Sequence, residues 1–147
     1  MIMGALAAPA QAGIYTDDLS RCVVKSSSTD DQQSILLWIY AAMSRHPAVA
    51  TYSKISEEQE QLLSKRAAQL MQRLLTEDCR DEAVAALRYE GTSTLEAAFG
   101  VLGETGMRAL MNDPQVTKAT SGLSDYVDTS KFEVLLKDAG LPVQSSK

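Results

Sequence analysis

The side chains with the most specific chemistry in this sequence are its two cysteines, Cys22 and Cys79. They stand far apart and the chain has no third cysteine, so they form neither a C-x-x-C redox motif nor a cysteine-rich zinc site. In an oxidising compartment such a pair predicts one structural disulfide. Closing so long a loop would stabilise the fold by about 4 kcal/mol on the loop-entropy estimate. Two free buried thiols are the alternative.

The other residue types that could catalyse a reaction or hold a metal favour neither role. His46 is the only histidine, and its place before Pro47 indicates a helix C-terminus, where a charged side chain meets the helix dipole. The acidic run of Glu57, Glu58 and Glu60 suits the first turn of a helix. Because no G-x-S-x-G or similar nucleophile motif occurs, the sequence predicts no catalytic residue, no metal site and no cofactor. A hydrolase whose site these motifs do not reveal is the alternative.

Two features of the sequence are candidates for a partner-binding surface. Gly100, Gly103 and Gly106 recur every third residue beside Met107, which indicates either close helix packing or a shallow groove for a partner. The segment Arg88–Glu90 carries an aromatic ring and two opposite charges, as either a helix terminus or an interface anchor does. The candidate partner-binding residues are therefore Arg88, Tyr89, Glu90, Gly103 and Met107.

The composition narrows the class of partner. The chain has 147 residues, a net charge of −5, 45% apolar residues and 22% charged residues, a balance typical of one globular domain. Nucleic acids and anionic membranes attract basic surfaces, so the acidic balance argues against both as ligands. A protein is the partner that we expect, and the sequence does not fix the oligomeric state.

The first twelve residues resemble the end of a signal peptide. They carry no charge, are rich in Ala, Met and Leu, and end in Ala10-Gln11-Ala12, which has the small-x-small form of a cleavage site. A basic n-region is missing, so we interpret residues 1–12 as the remnant of a truncated signal peptide and expect an exported, periplasmic protein. A flexible tail is the alternative. The longest later apolar run, Ile35 to Met43, is far shorter than the roughly 20 residues that span a bilayer, so no membrane insertion is expected.

Helix signals recur along the chain and strand signals hardly appear. The predicted helix starts are Thr16, Thr29 with Gln32, Ser56 with Gln59, Ser93 with Glu96, and Asp113 before Pro114. The predicted ends are Ser26 to Ser28, the residue before Pro47, Gly91, Val127, and Gly140 with Pro142. Ile35 to Tyr40 is apolar on all sides, which predicts a central, buried helix. We therefore expect an all-α fold: one compact bundle of about six to seven helices over 13–142, followed by a frayed tail at 143–147.

Several runs of the sequence resemble a group of small exported proteins of Xanthomonas-like proteobacteria. These runs are Asp18 to Val24, Trp38, His46 to Val49, Ala86 to Gly91, Glu96 to Phe99 and Met111 to Pro114. The resemblance covers most of the mature chain. It implies a periplasmic address and transfers no active-site residue. Some small periplasmic proteins of such bacteria are immunity proteins against toxins delivered by rival cells.

These observations lead to a non-enzymatic periplasmic protein that binds another protein, as an inhibitor or an immunity protein against a secreted toxin. The first alternative is a periplasmic acid-stress chaperone, whose acidic side chains would be neutralised at low pH and whose loosened chain would expose apolar surface. The second alternative is the hydrolase with an unrecognised site.

Overall fold

The structure, a computed structural model, describes residues 13–143. Within this range the chain forms eight α-helices and no strand, which confirms the all-α prediction. The helices are α1 Ile14–Ser26, α2 Thr29–Met43, α3 Pro47–Ala50, α4 Glu57–Arg73, α5 Arg80–Glu90, α6 Ser93–Met111, α7 Pro114–Ser121 and α8 Thr129–Asp138. A π-helical turn, Leu74–Asp78, follows α4, and a 3-10 turn, Gly122–Tyr126, follows α7. The predicted signal-peptide remnant at 1–12 and residues 144–147 of the predicted frayed tail lie outside the described residues.

The chain divides after Ala109 into two compact units. In the N-terminal unit, described from residue 13, α1 packs against α5 and α2 packs against α4. Their apolar faces meet in one hydrophobic core, to which α6 adds Ala98 and Leu102. The other buried members of this core are Leu19, Val23, Ile35, Ala67, Leu70, Leu74, Cys79, Ala83 and Ala86. The prediction of a single domain over 13–142 stays a prediction.

The disulfide prediction is confirmed. Cys22 lies in α1 and Cys79 lies between the π-helical turn and α5, with their Cα atoms 5.8 Å apart and their sulfurs bonded. Cys79 is fully buried, and the hydroxyl oxygen of Ser26 lies 3.6 Å from its Sγ. The bond therefore joins α1 to the start of α5 across the intervening α2 and α4.

Two predicted helix starts are wrong, because the predicted residues do not supply the hydrogen bonds that cap these helices. Helix α1 begins at Ile14 after Gly13, not at Thr16, and no local side chain caps it. Helix α2 is capped by Ser28, whose hydroxyl accepts from the backbone N–H of Asp31, instead of by Thr29. The carboxylate of Asp31 accepts in return from the Ser28 N–H at 2.9 Å, which completes the capping box one residue earlier than predicted.

Other local predictions are confirmed. Ser56 and Gln59 form a capping box at the start of α4. Asp113 accepts hydrogen bonds from the first turn of α7, and Pro114 occupies its first position. Gly91 ends α5 with a φ of +86°, in the region that glycine adopts without strain.

The prediction that α2 is a central, buried helix is wrong. Ile35 and Ala41 are buried, but Leu37 and Tyr40 are each 46% exposed. Helix α2 packs against α4 and is approached by α6 at Gln32 and Ile39, but neither helix covers Leu37 and Tyr40.

The C-terminal unit is described from Leu110 to Val143. Helix α7 ends at Ser121 and gives way to the 3-10 turn, so the predicted helix to Val127 is interrupted. Helix α8 is capped by Asp128 and is followed by Gly140 at a φ of +70°. None of the described residues of this unit is buried.

Replacing both cysteines by serine (C22S/C79S) tests the stabilisation by the disulfide. The bond spans a sequence separation of 57 residues, so its loss should lower the free energy of unfolding by about 4 kcal/mol. Urea unfolding followed by circular dichroism measures this change. Wild-type protein treated with dithiothreitol is the control and should lose the same amount. Equal midpoints for oxidised and reduced wild type would contradict the prediction.

Candidate functional site

The carboxylate of Glu90 caps a helix that lies more than seventy residues earlier in the chain. Its Oε1 accepts from the backbone N–H of Tyr15 at 3.0 Å, and its Oε2 accepts from the N–H of Thr16 at 2.9 Å. The Thr16 hydroxyl also donates to Oε2. First-turn N–H groups have no acceptor within their own helix, and the positive end of the helix dipole attracts an anion. Glu90 at the end of α5 thus satisfies the start of α1.

Gly13 makes room for this contact. A Cβ atom at residue 13 would overlap the Glu90 carboxylate, so a larger residue there would displace the cap. The contact with the Thr16 hydroxyl, aided by the two backbone N–H groups, also lowers the pKa of Glu90 below its ordinary value.

Two of the predicted partner-binding residues therefore meet at the first turn of α1. Beside Glu90, the ring of Tyr89 stacks on Tyr15 with centroids 4.7 Å apart and an interplanar angle of 24°. Tyr89 remains 61% exposed, and Arg88 is exposed as well. The structural role of a helix terminus accounts for Glu90, while Arg88 and the outer face of Tyr89 stay accessible.

The predicted residues of α6 have other neighbours. A Cβ atom at Gly103 would lie 3.8 Å from Cδ1 of Ile39, and one at Gly106 would lie 3.4 Å from the carbonyl oxygen of Gln32. Both glycines thus lie where α6 approaches α2, and close helix packing accounts for them. Met107 is partly exposed. The predicted set is therefore split between the start of α1 and the contact of α6 with α2.

A markedly apolar concave surface of the N-terminal unit lies between α2 and α4, and none of the residues that line it was among the predicted partner-binding residues. This α2–α4 groove has a volume of about 360 Å³ and is lined by Leu37, Tyr40, Ile55, Gln59, Leu62 and Leu63. Five of these six side chains are apolar or aromatic. Leu62, at 49% exposure, lies across the groove from the half-exposed residues of α2. Met43, one helical turn beyond Tyr40, is also exposed and extends the apolar surface.

An acidic rim adjoins the α2–α4 groove at the start of α4. Glu57, Glu58 and Glu60 occupy the first turn of that helix. Glu60 forms an ion pair with Arg45, and its hydrogen bond raises the pKa of the Arg45 guanidinium. Hydrogen bonds from its own backbone N–H and from the Ser56 hydroxyl lower the pKa of Glu58 below its ordinary value. The groove thus presents apolar walls beside negative charge.

A larger concave surface, of about 590 Å³, lies between α1 and α6. It is lined by Asp17, Ser20, Arg21, Val24, Lys25, Val101 and Thr105. Three of these seven side chains are charged, and Arg21 already pairs with Asp18 of its own helix. Because of these charged side chains its lining is less uniformly apolar than that of the α2–α4 groove.

The prediction that His46 caps a helix C-terminus is wrong. His46 is the N-cap of the short helix α3, and its Nδ1 accepts from the backbone N–H of Ala48 at 3.2 Å. Among residues 13–143, no three His, Cys, Asp or Glu side chains are placed to hold a metal ion. In the same range no helix has the length and apolar character needed to cross a membrane.

Comparison with known proteins adds no relative. No protein-family model, curated protein or solved structure matches this chain.

Replacing Glu90 by Gln tests the cap on α1. Glu90 has a lowered pKa in the folded protein, so its contribution to stability is complete above its ordinary pKa of 4.5 and is lost as the pH falls through the folded value. We expect E90Q to lower the melting temperature at neutral pH and to flatten its decline below about pH 4.5.

The matched control for E90Q is E104Q. Glu104 pairs with Arg108 on the exposed surface of α6 at 2.8 Å, and such pairs contribute only about 0.2–1 kcal/mol. Melting curves from neutral to acidic pH compare the two variants. A melting temperature for E90Q that equals that of E104Q at every pH would rule out the long-range cap.

Proposed function

We propose that this chain is a non-enzymatic periplasmic protein that binds another protein, and that it acts as an inhibitor or immunity protein against a secreted toxin. The observation that carries the proposal is the α2–α4 groove with its acidic rim. The disulfide and the sequence resemblance support the periplasmic address. The structural roles of the thiols and the histidine support a function other than catalysis.

The groove has the properties of a protein-binding surface. Single exposed apolar side chains are common on any protein, but a contiguous apolar patch with a polar rim marks an interaction site. Here Leu37, Tyr40, Met43 and Leu62 are exposed together on neighbouring helices. Tyrosine is also favoured among the residues that contribute most to binding. We therefore assign to Tyr40 the central contact between the groove and the partner.

The charge around the groove supports a basic protein segment as its partner. Glu57 and Glu58 add negative charge beside apolar walls, and the whole chain is acidic at −5. Complementary charge speeds association and selects the partner. We assign the groove to an apolar protein segment, such as one face of an amphipathic helix, that is flanked by Lys or Arg.

The periplasmic address is supported by the disulfide. Structural disulfides persist in oxidising compartments and are rare in the reducing cytosol. The Cys22–Cys79 bond joins two helices of the core, and a compartment that keeps it oxidised retains its stabilisation. The signal-like residues 1–12 and the resemblance to small exported proteins support the same address.

The two residue types most suited to nucleophilic or acid–base catalysis have structural roles. Both thiols are consumed by the disulfide, and the His46 ring accepts a backbone hydrogen bond as a helix cap. These contacts support a binding role over a catalytic one.

One observation favours the acid-stress chaperone as a second candidate. Burial alone would raise the pKa of Asp31, but the hydrogen bonds from Ser28 and the contact with Arg73 outweigh it and lower that pKa. The guanidinium of Arg73 lies 2.9 Å from the carboxylate of Asp31. Its Nε also lies 3.0 Å from the carboxylate of Asp78, which is close enough for an ion pair but is not aligned as a hydrogen bond. Protonation of Asp31 and Glu90 would weaken these contacts together. The stability that ionised Asp31 and ionised Glu90 contribute is therefore lost as the pH falls below the ordinary pKa of a carboxyl group.

Substitutions in the groove test the proposed function. Wild-type protein should capture a specific partner from periplasmic extract, and calorimetry with that purified partner gives the dissociation constant. Leu37→Asp places a charge on the apolar wall and should weaken binding about 100-fold or more. The control is Tyr52→Ala, because Tyr52 is exposed outside the groove lining and its loss should leave the affinity unchanged.

Equal affinity of L37D and wild type for the partner would contradict the groove as the binding site. Capture of no specific partner, together with prevention of client aggregation at about pH 3, would replace the proposal by the chaperone function.

A further inference from the structure

The two cysteines of the disulfide differ in their access to solvent. Cys79 is fully buried, whereas Cys22 is partly exposed and lines a concave surface of about 500 Å³. A thiolate opens a disulfide by attacking one of its sulfurs and displacing the other. In the folded protein an attacking thiolate can therefore reach Cys22 but not Cys79.

The concave surface beside Cys22 carries charges of both signs. Besides Cys22, this Cys22 cleft is lined by Asp18, Arg21, Lys25, Ser26 and Glu82. Arg21 pairs with Asp18 of its own helix, whereas neither Lys25 nor Glu82 forms an ion pair with another described residue. The cleft thus offers one ammonium group and one carboxylate beside the accessible cysteine.

We propose that Cys22 is a site of reversible S-thiolation by a small zwitterionic thiol, namely cysteine or a short peptide that contains it. A carboxylate of such a thiol pairs with the Lys25 ammonium, and its amino group pairs with the Glu82 carboxylate. The cleft volume of about 500 Å³ lies within the range of sites for small molecules, about 300–1,000 Å³. Volume and charge therefore both favour a small charged thiol.

The exchange itself moves one bond from Cys79 to the incoming thiol. The thiolate of the small molecule attacks Cys22 Sγ and forms a new S–S bond, while the Cys22–Cys79 bond breaks and its electron pair leaves with Cys79 as a thiolate. No further oxidant or reductant takes part. The Ser26 hydroxyl, whose oxygen lies 3.6 Å from Cys79 Sγ, is placed to donate to that thiolate. Cys79 is also the N-cap of α5, where the positive end of the helix dipole favours negative charge.

The exchange makes the covalent link between α1 and α5 reversible. With Cys22 thiolated, the two helices keep the Glu90 contacts with Tyr15 and Thr16 but lose their cross-link. The Cys79 thiolate can attack the mixed disulfide, expel the small thiol and restore the original bond. The modification uses no residue of the α2–α4 groove and is independent of partner binding there.

Trapping the mixed disulfide in wild-type protein tests the site. Oxidised, folded protein is incubated with reduced glutathione and quenched in acid, and its free thiols are then alkylated with N-ethylmaleimide in denaturant. Peptide mass spectrometry should find glutathione on Cys22 and N-ethylmaleimide on Cys79, with the reverse arrangement at least about tenfold rarer. Protein unfolded before the incubation is the control and should lose this preference. Equal thiolation of the two cysteines in folded protein, or none, would overturn the proposal.

The variants K25Q and E82Q test the class of thiol. The initial rate with glutathione is divided by the rate with uncharged 2-mercaptoethanol at equal thiolate concentration, and this ratio should fall about threefold in each variant. The control is K65Q, because Lys65 is exposed on α4 outside the Cys22 cleft and its loss should leave the ratio unchanged. Circular dichroism before the thiol is added confirms that each variant is folded. A wild-type ratio in either K25Q or E82Q would overturn the assignment of a zwitterionic thiol.

Discussion

Helix α1 is joined to α5 at two places, and this pair shares one hydrophobic core with α2, α4 and α6. Cys22 bonds to Cys79 at the start of α5, while Tyr15 and Thr16 donate to Glu90 at its end. The order of these contacts shows that the two helices run antiparallel. Between the two ends, Leu19, Val23, Ala83 and Ala86 are buried in the core. A covalent bond and a charged cap thus hold a pair whose contact surface is built from small and branched apolar residues.

Most features that depend on neighbours in the sequence were predictable, although the capping box of α2 begins one residue earlier than predicted. Features that depend on distant contacts were not predictable. The Ser56–Gln59 box, the Asp113 cap and the end of α5 at Gly91 were confirmed because each requires only a few adjacent residues. The start of α1 was missed because its cap is supplied by Glu90. His46 was predicted to end one helix, but it begins the next. A residue directly before a proline is compatible with both positions.

The candidate site shows the same division. The sequence marked Arg88–Glu90 as notable, and the structure gives Glu90 a stabilising role there. The α2–α4 groove was missed because an apolar helix such as α2 is predicted to be buried on all sides, whereas only its packing partner determines which side is covered. The exposed Tyr40 within that run was the available signal, since a hydroxyl at the edge of an apolar helix is suited to a surface that is partly wet.

Hydrogen exchange at the start of α1 tests the central claim most directly, that the end of α5 caps the start of α1 through Glu90. The N–H groups of Tyr15 and Thr16 donate to Glu90, so they should exchange about as slowly as N–H groups in the middle of α1. The N–H groups of Thr29 and Asp30 occupy the matching first turn of α2 and have no such acceptor in the described structure, so they should exchange quickly. Exchange at Tyr15 and Thr16 that is as fast as at Thr29 and Asp30 would contradict the account.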